Sequence, residues 1–120
     1  MRKILIAEDD PVLSMIYEIT LTEAGFEVLL CQDGQEAVEA LDSFRPDLVI
    51  TDHSMPRMSG GELVSPVRRL HPGAATLMAS AVDARLLQPD QHADARLEKP
   101  VTPGRLLDTV RAIEAARVVA

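Results

Sequence analysis

Short apolar runs alternate along this chain with longer segments in which apolar residues recur at helical spacing. Each run is mostly continuous and is bounded by turn or charged residues, a pattern typical of strands in a parallel sheet. The runs are KILIA (3–7), EVLLC (27–31), DLVIT (47–51) and ATLMAS (75–80), with a weaker fifth at ARLE (95–98). We predict a strand at each run, with three of them covered on both faces.

The segments between and after these strands predict amphipathic helices. In each segment, apolar residues stand at offsets 0, 1, 4 and 7, which places them in one stripe along a helix. Such stripes cover the faces of a sheet. The four stripes are Val12, Leu13, Ile16 and Ile19; Ala37, Val38, Leu41 and Phe44; Leu63, Val64, Val67 and Leu70; and Leu106, Leu107, Val110 and Ile113.

Helix boundaries are marked by capping residues, proline and glycine. Asp10 before Pro11 predicts an N-cap with proline in the first turn, and Gly25 predicts the end of that helix. Ser59 and Glu62 have the spacing of a capping box at the start of the third helix. The capping signals and the apolar stripes therefore predict the same helices.

Two segments fit the helical pattern poorly. Pro66 lies inside the third predicted helix and should kink it. Residues 83–95 contain Pro89 and no convincing apolar stripe, so we expect a short or irregular fourth helix there. Five strands alternating with roughly five helices predict an α/β fold, a doubly wound five-stranded parallel sheet. At 120 residues the chain has room for one domain, residues 1–120, with a single core.

Composition and charge exclude several classes of function. A net charge of −7 argues against a nucleic-acid-binding protein, because contacts with phosphates need a basic surface. Aromatic residues make up 2% of the chain, too few for stacking on flavins or bases. No apolar run is long enough to cross a membrane, and the N-terminus turns acidic where a signal peptide would stay apolar. We therefore expect a cytoplasmic protein, which is consistent with its one cysteine, Cys31.

Polar and charged residues stand where the predicted strands end. In a doubly wound sheet, ligands bind beyond the carboxyl ends of the strands. Each residue alone has a simpler explanation, as Asp10 has in capping a helix. Together they favour a functional site, because random capping would rarely bring several carboxylates, a hydroxyl and a lysine to one edge. The residues are Glu8, Asp9 and Asp10 after strand one, Asp52 after strand three, Ser80 after strand four and Lys99 after strand five.

In this context the chain resembles the receiver domain of bacterial two-component response regulators. The resemblance runs from KILIAEDD through DLVITDHSMPRMSG and LMASA to EKP, nearly the whole chain. It implies a flavodoxin-like fold with strand order 2-1-3-4-5. The chain is similar to single-domain, CheY-like receivers, and its stretch LLQPD (86–90) resembles the CpdR-like receivers, which act through proteolysis adaptors.

The resemblance implies a phosphoacceptor and a metal site. Asp52 would accept the phosphoryl group, and Glu8 and Asp9 would be the acidic pair that holds Mg²⁺ with Asp52. The backbone carbonyl of Ser54 would be a further metal ligand. The chemistry is reasonable, because Mg²⁺ prefers oxygen ligands and because three uncompensated carboxylates would repel an anionic phosphoryl donor.

Two further roles follow from the same resemblance. Lys99 would contact the phosphoryl group from the side away from the metal, and its bond to Pro100 would be cis. Ser80 would be the switch hydroxyl, which moves to donate a hydrogen bond to the phosphorylated Asp52. That movement would shift a two-state equilibrium at the surface formed by the fourth helix, the fifth strand and the last helix.

The partners of such a switch are proteins. The resemblance implies that a sensor histidine kinase or a phosphotransfer protein supplies the phosphoryl group, and that an unidentified downstream protein recognises the result. We expect a monomer or a weak phosphorylation-dependent dimer, with no nucleic-acid or membrane partner. We also expect no enzymatic activity other than the chain's own phosphorylation and dephosphorylation.

One departure from the family affects the readout. Arg96 stands three residues before Lys99, where receivers usually carry an aromatic switch residue, and the stretch between Ser80 and Lys99 is shorter than usual. Two alternatives therefore stay open. One is a degenerate receiver that binds partners without phosphorylation. The other is an aspartate-nucleophile phosphatase. Those enzymes carry a D-x-D pattern, whereas here the position two after Asp52 is Ser54, which has no carboxyl group to act as a general acid, so this alternative is disfavoured.

Overall fold

Within the described residues, five parallel strands form one sheet in the order β2-β1-β3-β4-β5. The structure is a computed structural model that describes residues 1–53, 55, 58–81 and 92–119, without the side chains of 118 and 119. The predicted α/β fold, the parallel sheet and the strand order are confirmed. The strands are β1 (Lys3–Ala7), β2 (Glu27–Cys31), β3 (Leu48–Asp52), β4 (Ala75–Ser80) and β5 (Ala95–Glu98).

Four helices occur within the described residues. They are α1 (Pro11–Glu23), α2 (Gly34–Phe44), α3 (Gly60–Leu70) and α4 (Pro103–Val119). The last of these is the final helix of the sequence prediction. We expected a short or irregular helix within residues 83–95. Most of that segment belongs to residues 82–91, which lie outside the described residues. The helix α3 continues through Pro66.

The helices cover both faces of the sheet, and the three central strands are buried on both sides. The strands β3 and β4 are buried throughout, and β1 is buried from its second residue onward. One face packs against α1 and α4 around Ile6, Leu77 and Leu106, and the other against α2 and α3 around Leu5, Val49 and Leu63. The edge strands β2 and β5 are only partly covered.

The apolar stripe predicted for α1 is partly wrong. Val12 is 58% exposed and Ile19 is 49% exposed, whereas Tyr17 and Leu21 are buried. The helix packs on the sheet through a face that includes Leu13, Tyr17 and Leu21, so the buried face is rotated around the helix from the predicted one. The observed face buries a polar side chain, the phenol of Tyr17.

The capping devices form as predicted. The Asp10 carboxylate accepts hydrogen bonds from the backbone N–H of Val12 and of Leu13 at the start of α1. The chain leaves that helix through Gly25, whose φ of 99° lies in the left-handed region that glycine tolerates best. Ser59 and Glu62 make the reciprocal capping box at the start of α3. These caps place the helix starts at the edge of the sheet where the strands end.

Asp47 fastens the opposite edge of the sheet, where the strands begin. Its Oδ2 accepts hydrogen bonds from the backbone N–H of Arg2 at 2.8 Å and of Lys3 at 2.9 Å. Burial works to raise the pKa of this carboxyl, but these bonds and nearby positive charges outweigh it and leave the pKa below its usual range. Asp47 therefore aligns β1 with β3, the two strands that deliver the acidic residues of the site.

We predict that Asp47→Ala lowers the free energy of unfolding at pH 7 by about 1–2 kcal/mol, through the lost charge-assisted bonds. Because the native carboxyl has a lowered pKa, its contribution is complete above the unfolded value near 3.8 and is lost as pH falls through the native value. Denaturant unfolding of both proteins at descending pH should show the difference shrinking. A difference independent of pH would contradict this role.

Candidate functional site

The strand β3 presents Asp52 at its end, next to a tight return of the chain. Asp52 is 8% exposed, and its backbone pairs with Ala79 of β4. The N–H of Gly60, the first residue of α3, donates to the carbonyl of His53. A Cβ at position 60 would overlap the carbonyl oxygen of Asp52, so glycine is required there. A rigid strand and a close backbone contact thus fix the position of the Asp52 carboxylate.

The end of β1 brings two more carboxylates to the same place. The N–H of Glu8 continues the ladder with β2 by donating to the carbonyl of Cys31. Glu8 is buried and Asp9 is exposed. Ligand oxygens of Glu8, Asp9 and Asp52 all lie within 4.8 Å of one another. The structure therefore brings together the three carboxylates that the sequence predicted as metal ligands.

Lys99 reaches this cluster from the end of β5. Its Nζ donates to Oδ2 of Asp52 at 2.9 Å and to Oε1 of Glu8 at 3.4 Å. Its backbone N–H donates to the carbonyl of Ser80, and its bond to Pro100 is cis, as expected. One ammonium group is thus shared between two carboxylates from different strands.

The electrostatics of the cluster follow from burial and from like charges. Burial raises the pKa of Glu8 to about 7, with Asp52 adding to the effect while the N–H of Asp10 and the charge of Lys99 oppose it. Burial tends to lower the pKa of Lys99, but the bond to Asp52 and the charge of Glu8 reverse this and raise it. Lys99 therefore stays charged, whereas the site holds more negative charge than one lysine neutralises.

The other predicted site residues are only partly described. Ser80 ends β4, is buried, and lies directly after Ala79, the strand partner of Asp52. Its hydroxyl is therefore on the strand adjacent to the phosphoacceptor candidate. Ser54, the predicted carbonyl ligand, lies outside the described residues.

Comparison with known proteins agrees with this fold. The family model for the response regulator receiver domain matches residues 4–111. The chain belongs to the response regulator receiver family. One relative is the response regulator receiver protein Anae109_2439 of Anaeromyxobacter, 37% identical over 90% of this chain and 47% of that protein. Another is the chemotaxis protein CheY of Thermotoga maritima, 28% identical over 93% of this chain and 97% of that protein.

Solved receiver structures have the same fold. The chemotaxis response regulator CheY4 of Vibrio cholerae has a TM-score of 0.84 at 30% identity, covering 94% of this chain and 98% of that one. The response regulator TrrA of Thermotoga maritima, solved in complex with Mg²⁺-BeF, has a TM-score of 0.83 at 27% identity, covering 93% and 98%. Many curated relatives are longer, and this receiver spans 47% to 50% of the first four.

The donor set fits a divalent cation of the Mg²⁺ type. All of the clustered ligands are carboxylate oxygens, which are hard donors, and one of them is exposed so that a hydrated ion can enter. Three carboxylates share one lysine at this edge, so a bound divalent cation would balance negative charge there. Receivers of this family bind Mg²⁺ at such an acidic pocket.

Arg96 occupies the expected switch position, and its environment is unusual. It lies on β5 opposite Met78 of β4 and is partly buried. Its Nε and Nη1 are buried and have no hydrogen-bond partner in the described part of the chain. A guanidinium normally finds acceptors for its donors, so this arrangement is energetically unfavourable.

Sequence reasoning overlooked one residue near the site. Tyr17 was omitted from the predicted stripe of α1, but its side chain is buried in the core cluster that includes Ile6 of β1 and Leu97 of β5. The only sequence signal was its spacing, since Leu13, Tyr17 and Leu21 lie one helical turn apart.

Within the part of the chain that the structure describes, no helix is long and apolar enough to cross a membrane.

We predict that Gly60→Ala lowers the free energy of unfolding by about 2 kcal/mol, because the new Cβ forces the start of α3 away from Asp52. Gly104→Ala is the matched control, since a Cβ there meets nothing within 4 Å and alanine favours the helix. Denaturant unfolding compares the three proteins. Equal stability of Gly60→Ala and wild type would contradict the close contact.

Proposed function

We propose that this receiver is a phosphorylation-activated signalling switch in which Asp52 is the phosphoacceptor. A histidine kinase or phosphotransfer protein donates the phosphoryl group in the cytoplasm, and a downstream protein recognises the phosphorylated state. The observation that carries the proposal is the ion-pair geometry of Lys99, whose Nζ lies 2.9 Å from Asp52 and 3.4 Å from Glu8. Such an ammonium is placed to neutralise a phosphoryl group that arrives on Asp52.

The reaction is a transfer between two nucleophiles. An oxygen of the Asp52 carboxylate attacks phosphorus, the bond from phosphorus to the donor nitrogen breaks, and an acyl phosphate forms on Asp52. The nitrogen retains its electron pair, so the imidazole of the donor histidine leaves as a neutral base once it carries one proton. Charge spreads over the phosphoryl oxygens in the transition state, and Lys99 supplies positive charge there.

Glu8, Asp9 and Asp52 would hold Mg²⁺, with the Ser54 carbonyl as the remaining protein ligand. When bound, the ion neutralises the acidic cluster and the charge that develops on the transferring group. The protein residues do the positioning. The β3 strand fixes the attacking carboxylate, Lys99 binds the phosphoryl oxygens, and the Ser80 hydroxyl donates a hydrogen bond to the phosphorylated Asp52.

The output of the switch involves β5 and the surface next to it. The Lys99 backbone N–H is bonded to the carbonyl of Ser80, so movement of Ser80 toward a phosphorylated Asp52 is transmitted directly to the end of β5. Arg96 lies on that strand. We assign the receiver no catalytic activity beyond its own phosphorylation and dephosphorylation, and we assign it a monomeric or weakly, phosphorylation-dependently dimeric state.

We predict that the wild type gains one phosphoryl adduct on incubation with acetyl phosphate and Mg²⁺, that EDTA prevents the adduct, and that Asp52→Asn abolishes it. Intact-mass spectrometry measures all three. Asp42→Asn is the matched control, because the Asp42 side chain is 98% exposed and its only described partner is His71, away from the cluster. Equal labelling of Asp52→Asn and wild type would contradict the assignment of Asp52 as the phosphoacceptor.

A second candidate function is favoured by the unpartnered guanidinium atoms of Arg96. The aromatic side chain usual at this position could rotate between two apolar environments, which an arginine cannot do. A degenerate receiver that binds partners without phosphorylation would explain that loss. Its signature would be no adduct from acetyl phosphate together with no Mg²⁺ binding by calorimetry.

We predict that Arg96→Tyr leaves the labelling of Asp52 within about twofold of wild type, a difference of under about 0.5 kcal/mol in barrier. The reason is that Arg96 makes no described contact with the acidic cluster, whereas it lies on the output strand. Intact-mass time courses measure labelling, and binding to the downstream partner should change. A large loss of labelling would place Arg96 in the phosphoryl site instead.

A further inference from the structure

The hydroxyl of Tyr17 is a buried polar group that the proposed reaction does not use. Tyr17 is 2% exposed, and its hydroxyl has no hydrogen-bond partner among the residues that the structure describes. A phenol in a core normally finds a partner, because a buried hydroxyl without one loses its hydration and gains nothing in exchange. An exception of this kind in a native fold requires an explanation.

The position of the phenol supplies one. The helix α1 starts at the carboxyl edge of the sheet, and helical side chains lean toward the N-terminus of their helix. Tyr17 therefore leans from the core toward the acidic site. It packs in the cluster that contains Ile6 of β1 and Leu97 of β5, the residues two before Glu8 and two before Lys99.

The charged groups around the phenol are those of the site itself. Burial raises the pKa of Tyr17; among the charges that act on it, Lys99 is foremost and lowers it, and Glu8, Asp52 and Asp10 raise it. Tyr17 in turn contributes to the raised pKa of Lys99. The phenol therefore lies in the core, close enough to the site for the charge of Lys99 to act on it.

We infer that Tyr17 is a positioning residue, whose hydroxyl accepts a hydrogen bond from the Lys99 ammonium once Asp52 carries the phosphoryl group. The inference rests on the proposed function. An ammonium has three donors, and in the present state Lys99 directs two of them at Asp52 and Glu8. When a phosphoryl oxygen replaces the Asp52 carboxylate as its acceptor, Lys99 must reorient, and the phenol offers an acceptor on the buried side.

The consequence is a difference between the two states of the switch. The unphosphorylated state contains an unsatisfied hydroxyl, and the phosphorylated state satisfies it. A group that is unfavourable in one state and favourable in the other biases the equilibrium toward the second. Tyr17 should therefore speed labelling without contributing to the stability of the unphosphorylated fold.

The test removes the hydroxyl and keeps the ring. We expect Tyr17→Phe to slow labelling by acetyl phosphate about tenfold, the effect of one hydrogen bond to a charged group. Half-saturation by Mg²⁺ should not change, and the melting temperature should stay equal to or rise above that of wild type. Thr20→Val is the matched control on the same helix, because the Thr20 hydroxyl already donates to the Ile16 carbonyl at 2.8 Å. That variant should label at the wild-type rate.

NMR of the lysine side chains distinguishes a role of Tyr17 in positioning Lys99 from a role in the stability of the fold. The sequence contains two lysines, Lys3 and Lys99, so a protein labelled with ¹³C,¹⁵N-lysine gives two sets of side-chain signals. With Mg²⁺ and beryllium fluoride, the Lys99 signals of Tyr17→Phe should differ from those of wild type, and the Lys3 signals should coincide.

The outcomes are distinct. Slower labelling together with shifted Lys99 signals supports the inference. Labelling at the wild-type rate, or slower labelling with unshifted Lys99 signals, overturns the role of Tyr17 and leaves the proposed function standing. A wild type that neither labels nor binds Mg²⁺ overturns the proposed function and this inference with it.

Discussion

One ammonium group, that of Lys99 after β5, lies between two carboxylates that the adjacent strands β1 and β3 bring to the same edge. Asp52 and Glu8 are both buried, and without a nearby cation their charges would oppose each other at short range. Lys99 permits the strands β1, β3 and β5 to end in charged or polar residues at one point. The cost of that arrangement is visible in Glu8, whose pKa burial raises to about 7.

This constraint also explains why the site is responsive. The three carboxylates carry more negative charge than Lys99 neutralises, which favours binding of a divalent cation. When a phosphoryl group is attached to Asp52, the Lys99 ammonium can move from the carboxylate to a phosphoryl oxygen. The connection from Lys99 through the backbone carbonyl of Ser80 couples the edge strand to the site. Signalling then requires only that these few contacts exchange partners, while the buried strands stay in place.

The residue pattern predicted the strands and the clustering of the acidic residues, because burial on both faces and the ends of parallel strands leave direct marks in it. The strand order came from the family resemblance. The residue pattern placed the buried face of α1 wrongly. Val12 and Ile19 are apolar yet exposed, and hydrophobicity alone does not state which of two adjoining faces meets the sheet. Tyr17 was missed for the same reason. The unpartnered atoms of Arg96 depend on side-chain contacts, which no one-dimensional pattern contains.

The most direct test of the account is a crystal structure with Mg²⁺ and beryllium fluoride, which mimics the phosphoryl group. We predict beryllium fluoride attached to the Asp52 carboxylate, the cation held by Glu8, Asp9 and Asp52, and the Lys99 ammonium moved from the carboxylate to a fluoride. Beryllium fluoride absent from Asp52, or a cation bound away from the acidic cluster, would contradict the central claim that this edge is a phosphoryl-accepting site.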